Sequence, residues 1–284
     1  MRETRAESWL QLQELLFEDA WNPDLGRFRS DLVYRGEGRA SNELTTSLQR
    51  LGGPYAGLER HLLRNFRKYA HRDAVTRETI WDWLAVAKHH GLPTRLLDWS
   101  HSPYVALHFA TANRALYRED GAVWLVDYVR AARFLPGPLR HVLQEEGSNS
   151  FTAEMLQRAA SSLSELDRLA EEEEFAVFYE PPSLDDRIVN QYAVFSLMSG
   201  AEVRLDAWLE TKPELVRRVV IPTELKWEVR DKLDQANLTE RVLFPGLDGI
   251  AAWLTRLYSP REPERVAPDA DATDSGSSTP TRMS

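Results

Sequence analysis

The run from His89 to Ala110, His-His-Gly-Leu-Pro-Thr-Arg-Leu-Leu-Asp-Trp-Ser-His-Ser-Pro-Tyr-Val-Ala-Leu-His-Phe-Ala, leaves the chain few ways to fold around it. Gly91 and Pro93 end a helix, so Arg95 to Trp99 has room only for a short extended piece. Ser102-Pro103 then carries the N-cap and first-turn chemistry of a new helix. The imidazoles of His89 and His90, the Arg95 guanidinium, the Asp98 carboxylate and the hydroxyls of Ser100 and Ser102 all flank this one apolar strand. A strand end facing a helix N-terminus is a place where free N–H groups and the helix dipole favour an anion. The segment is therefore the first candidate for a binding site.

Periodicity supplies the surroundings. Ser8 to Ala20 has a helical stripe (Trp9, Leu12, Leu15, Leu16, Ala20) that closes before Pro23, and Leu32-Val33-Tyr34 is a brief strand running into Arg35-Gly36. Gly57 to Tyr69 predicts an amphipathic helix, with Leu58, Leu62, Leu63, Phe66 and Tyr69 inward and Arg60, Arg64, Arg67 and Lys68 outward. Further helices are expected over Arg77–His90, Pro103–Tyr117, Ala153–Ala170 with a solvated acidic end at Glu171–Glu174, Thr223–Asn237 and Leu247–Tyr258. Strands are expected over Gly121–Tyr128, Phe175–Tyr179, Ile188–Met198, Val216–Pro222 and Val242–Phe244. Long helices with short strands predict an α+β fold with a mixed sheet. Residues 1–259 are read as one domain, and residues 260–284, which hold almost nothing to bury, as a disordered tail.

Composition removes several functions. At 284 residues and 43% hydrophobic the chain can bury a full core. With no cysteine it has no disulfide, no thiolate nucleophile and no cysteine zinc site, and a reducing cytoplasm is its expected location. Met1 to Leu16 lacks the apolar core of a signal peptide, and no run approaches a membrane span, so no membrane partner is expected. The formal charge of −9 excludes coating of nucleic acid through bulk charge. The charge is uneven, however: Leu58 to Arg95 holds eight Lys/Arg against four Asp/Glu, and Glu154 to Asp186 ten acids against two bases. No phosphate loop, dinucleotide glycine fingerprint or serine elbow occurs, and no metal site is expected, because the adjacent His89 and His90 lack ligand spacing.

Several stretches together resemble the FRG domain: Tyr34-Arg35-Gly36, Leu44 to Arg50, His90 to Ser100, Ala106 to Ala110, Arg187 to Phe195 and Phe244 to Gly249. The chain departs from the family pattern at Lys88 (usually glutamine), Ser100 (commonly threonine) and Ala193 (usually glycine). The resemblance spans about residues 30–255, with the helix of residues 8–20 in front. The family's layout is similar to that of ADP-ribosyltransferases: an arginine closing the first core strand, a short strand with hydroxyls leading into an Ala/Phe-rich helix, and a later strand with a catalytic glutamate. It implies an ADP-ribosyltransferase-like α+β fold, with a mixed, mostly antiparallel central sheet flanked by helices. Arg35 fits the first element, Asp98 to Ala110 the second, and Gln191 stands where the third wants a glutamate.

The resemblance implies an enzyme that binds NAD as substrate and moves ADP-ribose to a macromolecule, with nucleic acid the preferred acceptor and protein the other. Cleaving the nicotinamide–ribose bond develops positive charge on the ribose while the pyrophosphate is held. Arg35 and Arg95 are the expected pyrophosphate ligands. Tyr34, Gly36, His90, Ser100 and Ser102 complete the cofactor side, Tyr34 or Trp99 offers a flat ring, and Asp98 and Gln191 are the catalytic candidates, with a distant acid such as Glu202 as a further choice. Such activity would suit bacterial conflict or phage defence, with an antitoxin or regulatory partner. The rival reading is a non-catalytic nucleotide- or partner-binding module. The same residues also admit architectural roles: an Arg35–Asp98 buried ion pair, a core Trp99, a Gln191 that satisfies backbone groups.

Overall fold

The computed structural model describes residues 1–70, 79–170, 173–183 and 185–261. In chain order the elements are β1 (Arg2–Arg5), α1 (Trp9–Phe17), the small hairpin β2 (Trp21–Asn22) and β3 (Arg27–Phe28), β4 (Leu32–Glu37), α2 (Tyr55–Tyr69), α3 (Ile80–His89), β5 (Leu97–Ser100) and α4 (Pro103–Thr111). They continue with β6 (Gly121–Asp127), α5 (Tyr128–Ala131), α6 (Gly137–Glu146), α7 (Ala153–Ala159), α8 (Leu163–Arg168), β7 (Ala176–Tyr179), α9 (Asp186–Asn190) and β8 (Ala193–Met198). The last are α10 (Leu205–Glu210), β9 (Val216–Ile221), α11 (Thr223–Gln235), α12 (Glu240–Leu243) and α13 (Leu247–Leu257).

Seven strands form one sheet in the order β1-β9-β6-β4-β5-β8-β7. Only β1 with β9 is parallel, so the sheet is mixed and mostly antiparallel, with helices on both faces, as the sequence predicts. Alternation along the strands separates the faces. One carries Val33, Leu97, Trp99, Trp124, Val126, Phe178 and Val194, closed by Ala131 of α5 and by Leu205, Trp208 and Leu209 of α10. The other is covered by two separate layers. Tyr34, Val123, Leu125, Val219 and Ile221 pack under α1, α4 and α11, whereas Val177, Tyr179, Phe195 and Leu197 pack under α2, α3, α6, α7 and α8. The boundary between the layers falls at β5, where the sheet is least laced: β4 shares six register pairs with β6 and only Tyr34–Ser100 with β5.

Several elements depart from the expected pattern for local reasons. Ile188–Met198, expected as one strand, is α9 followed by β8: the Asp185 carboxylate accepts from Ile188 N and caps the helix, and Tyr192 turns the chain with φ at +48°. Val242–Phe244, expected as a strand, closes the helical turn α12, where Phe244 N donates to Glu240 O at 2.8 Å. Ala153–Ala170 breaks after Ala159 because Ser162 caps a second helix, and the helix from Pro103 stops at Thr111. Thr79 caps α3, whose expected first residues 77 and 78 lie outside the described residues, as do 171, 172 and the tail from 262. Strand β1 was not expected, since Arg2-Glu3-Thr4-Arg5 has no apolar alternation; it docks on β9 with Glu3 opposite Arg218. No described helix is long and apolar enough to cross a membrane.

Candidate functional site

At the boundary between the two helical layers a cleft of about 320 Å³ opens over the split between β4 and β5. Its floor is Arg35, Gly36 and Glu37 of β4, Asp98 and Ser100 of β5 and Ala193 of β8. Its walls are Lys88 and His89 at the end of α3, Val105, Ala106 and Phe109 on α4, and Arg187, Ile188 and Gln191 on and just after α9. Gly36 permits this geometry: a Cβ there would lie 1.8 Å from Ala106 O, so only glycine lets α4 approach β4 this closely.

The cleft mixes charges of both signs. Arg35 Nη1 donates to the Asp98 carbonyl at 2.8 Å, and Nη2 lies 2.8 Å from Glu37 Oε1; its Nε is buried without a hydrogen-bond partner. Glu37 Oε2 accepts from Asn42 Nδ2 at 3.0 Å. The Asp98 carboxylate is 56% exposed, 2.7 Å from Lys88 Nζ and 3.9 Å from Arg35 Nη1. The buried Arg35–Asp98 ion pair considered from sequence is therefore not what forms: Arg35 holds the Asp98 backbone, and Lys88 holds its exposed side chain. His89 Nε2 lies 2.9 Å from Asp185 Oδ2; burial pushes its pKa below the ordinary imidazole value and Asp185 counters in part. The Arg187 guanidinium covers the Phe244 ring at 4.9 Å.

The hydroxyl and amide groups are largely committed. Ser100 Oγ donates to the Gln191 carbonyl at 2.7 Å and accepts from Ser102 N at 2.9 Å. Gln191 Nε2 donates to Leu243 O at 2.9 Å, which joins the turn after α9 to α12.

Of the residues singled out from sequence, Tyr34, Arg35, Gly36, Asp98, Ser100 and Gln191 line the cleft. Trp99 borders it too, but neither ring is a free platform: Tyr34 is buried with its hydroxyl on Ser30 and Leu16 O, and the Trp99 indole is buried and donates to Ser196 Oγ at 2.7 Å. Arg95 is a correction. It is 2% exposed, with Nε 2.7 Å from Glu59 Oε2 and Nη1 2.6 Å from Asp167 Oδ1, so it does not converge with Arg35 on one ligand. Its Nη2 has no partner but is buried with the rest of the guanidinium inside the layer of α2 and α8, away from the cleft lining, and cannot meet a pyrophosphate there. His90 is also outside the cleft, exposed beside Phe66 and His89, and Ser102 is the N-cap of α4, accepting from Val105 N. Glu202 is exposed and does not line the cleft.

The lining also includes Glu37, Lys88, Phe109 and Arg187, to which the sequence assigns no role in the site. Glu37 was the most legible, since it follows Arg35 by two positions in a strand and shares its face. Among the described residues no group of three or more His, Cys, Asp or Glu side chains could hold a metal ion.

Both strands of the split pair, with α2, α3 and α4, fall within one stretch that is recognisable from its sequence. Residues 30–119 match the family model of the FRG domain. No curated protein and no solved structure matches the chain. The FRG segment carries Arg35, Gly36, Glu37, Lys88, Asp98, Ser100 and Phe109, whereas Arg187 and Gln191 reach the cleft from beyond it. The matched stretch therefore supplies most of the cleft lining, and α9, the turn after it and the start of β8 supply the rest.

Proposed function

We propose that the cleft binds NAD and that the protein is an ADP-ribosyltransferase-like enzyme that moves ADP-ribose to a macromolecular acceptor, nucleic acid in preference to protein. The observation that carries this reading is adjacency. The strand carrying Arg35, the strand ending in Ser100 before an Ala/Phe-rich helix, and the strand entered from Gln191 are neighbours β4-β5-β8 in the sheet, and all three residues line one cleft. This is the juxtaposition that the layout of ADP-ribosyltransferases requires.

The loss of Arg95 changes how the ligand is held. With Arg95 buried on Glu59 and Asp167, the anionic pyrophosphate falls to Arg35, with Lys88 as the second cation once either is released from its carboxylate. Phe109, 36% exposed, replaces Tyr34 and Trp99 as the flat apolar surface for a ring. In the transfer the ribose C1′–N bond breaks and nicotinamide leaves with the electron pair, while an acceptor oxygen or nitrogen bonds to C1′. The acceptor's proton passes to Asp98 or Glu37, because Gln191 cannot serve as a base. Gln191 keeps its Oε1 as an acceptor for a ribose hydroxyl. Modification of cellular macromolecules is toxic, which suits phage defence or a toxin held by an antitoxin partner.

A second reading has its own observation: Arg35 and Lys88 are each already neutralised by a carboxylate, and no glutamate stands at position 191. That arrangement fits a module that binds a nucleotide without turning it over. Calorimetry with NAD, followed by assay of free nicotinamide and of acceptor mass, separates the two. Heat with nicotinamide release and mass gain supports transfer, heat alone supports the binding module, and no heat overturns both.

A further inference from the structure

A second hollow, an open groove of about 980 Å³, lies between α2, the start of α3 and the stretch from Gln157 to Ser164. Its α2 wall is basic, with Arg60, Arg64, Arg67 and Lys68 all exposed. Intervals of three and four place them along one side of the helix, at steps of about 6 Å for each four residues. Arg60 lies 3.8 Å from Asp167, whose other oxygen already holds Arg95. The opposite wall holds Gln157, Leu163 and three serines: Ser161 Oγ donates to Glu165 Oε2 at 2.6 Å, Ser162 Oγ caps α8 by accepting from Glu165 N, and Gln157 Oε1 is buried without a hydrogen-bond partner. Tyr69 ends α2 with 78% of its surface exposed and Lys68 Nζ 5.1 Å from its ring centroid.

Each feature selects among ligands. A row of cations on a rigid rod suits a linear polyanion rather than a single phosphate. A buried amide acceptor repels phosphate oxygen but takes the exocyclic amino group of a base. An exposed ring backed by a cation is a stacking platform for an unpaired base. An acidic peptide would use the row alone. We propose that this groove binds single-stranded nucleic acid, with phosphates along Arg60, Arg64 and Lys68 and a base on Tyr69.

The groove and the cleft share α3. Trp83 lines the first and Lys88 the second, five residues and about 7.5 Å of helix apart. His90 stands exposed between them, 5.2 Å from the His89 ring and 6.5 Å from Phe66 on α2. Five residues also turn the helix by about 140°, so a strand seated in the groove would pass around the end of α3, by His90, before its next nucleotides reached the cleft. Naming that strand the acceptor rests on the NAD reading; its binding does not.

The test is fluorescence anisotropy of the full chain with a labelled single-stranded DNA of about twelve nucleotides, without NAD, between about 50 and 200 mM salt. The expected result is an affinity that falls steeply with salt. The double variant Arg64→Gln, Lys68→Gln is expected to bind at least about tenfold more weakly, with a salt slope shallower by about 1.4. Tyr69→Ala is expected to weaken binding about tenfold with the slope unchanged. The substituted side chains are exposed, so melting temperature and heat with NAD should match the wild type. A wild-type protein that leaves the DNA unbound at low salt, variants that bind like it, or displacement of the DNA by polyglutamate at equal charge would each overturn the proposal. DNA binding without any heat from NAD would leave the groove standing and remove only the acceptor assignment.

Discussion

Arg35 Nη1 donates to the backbone carbonyl of Asp98 at 2.8 Å, just past the single register pair that joins β4 to β5. The guanidinium therefore stands in for a missing ladder bond while its Nε remains buried without a partner. One side chain both staples the split sheet and lines the cleft. Arg35→Lys keeps the charge but cannot reach the Asp98 carbonyl and Glu37 together from a fork of donors. We expect it to lower stability by about 1–2 kcal/mol and weaken NAD binding about tenfold or more, read by urea unfolding and calorimetry. Lower stability with an unchanged NAD titration would make Arg35 a purely architectural residue.

Two glycines give a matched pair. A Cβ on Gly36 would meet Ala106 O at 1.8 Å and Ala110 N at 2.7 Å, both backbone atoms of α4 that cannot step aside without moving the helix. Gly36→Ala should destabilise the fold by about 3 kcal/mol or more. Gly57, inside α2, meets nothing within 4 Å, so Gly57→Ala should instead stabilise by about 0.5–1 kcal/mol. Chemical denaturation of the two variants beside the wild type decides both signs.

Arg95 is expected to behave as a core residue. Removing it leaves Glu59, itself 1% exposed, as a buried carboxylate without its counter-charge. Arg95→Met should therefore lose about 3–5 kcal/mol, and Arg95→Met with Glu59→Gln should recover part of that loss. The fraction still folded should titrate NAD as the wild type does. A selective loss of NAD affinity at full stability would restore Arg95 to the ligand site.

What could be read from the sequence follows from how local each cause is. The helix-stop at Gly91, the Ser102 cap and the outward basic face of α2 depend on neighbours within a turn or two, and all appear where expected. Arg95 was misplaced because its partners lie 36 and 72 residues away, at Glu59 and Asp167, so nearness to Asp98 along the chain suggested a shared task that the fold does not give it. Over Ile188 to Asn190 and Val242 to Phe244 β-propensity lost to the Asp185 cap and to the short turn of α12, whereas Ala193 to Met198 forms β8 within the expected strand. The cleft itself was half legible. Tyr34 to Gly36 and Asp98 to Ser100 announce it, but Lys88 and Phe109 enter from helix positions whose orientation only packing decides.

His108 makes the stability of the fold depend on mild acid. It is fully buried on α4, its Nδ1 accepts from Arg230 Nη1 at 2.7 Å, and its Nε2 has no partner. Burial first, and then Arg230, push its pKa down to about 4, while Glu240 acts in the opposite direction and Arg256 adds to the depression. In the unfolded chain the same imidazole titrates near 6.5. Between those two values the unfolded state takes up a proton that the native state refuses, so stability is complete above about 6.5 and drains away as the pH falls toward 4, by roughly 2–3 kcal/mol. Glu240, pulled down to about 2 beside Arg256 in spite of its burial, adds a loss of the same sign only below the ordinary carboxylate range. His108→Gln can still accept from Arg230 but carries no titrating ring, and should flatten the curve between pH 6.5 and 4 while leaving the lower limb in place. Urea unfolding of wild type and variant at pH 7 and pH 5 measures the difference, and parallel curves for the two proteins would show that His108 is protonated in the native state.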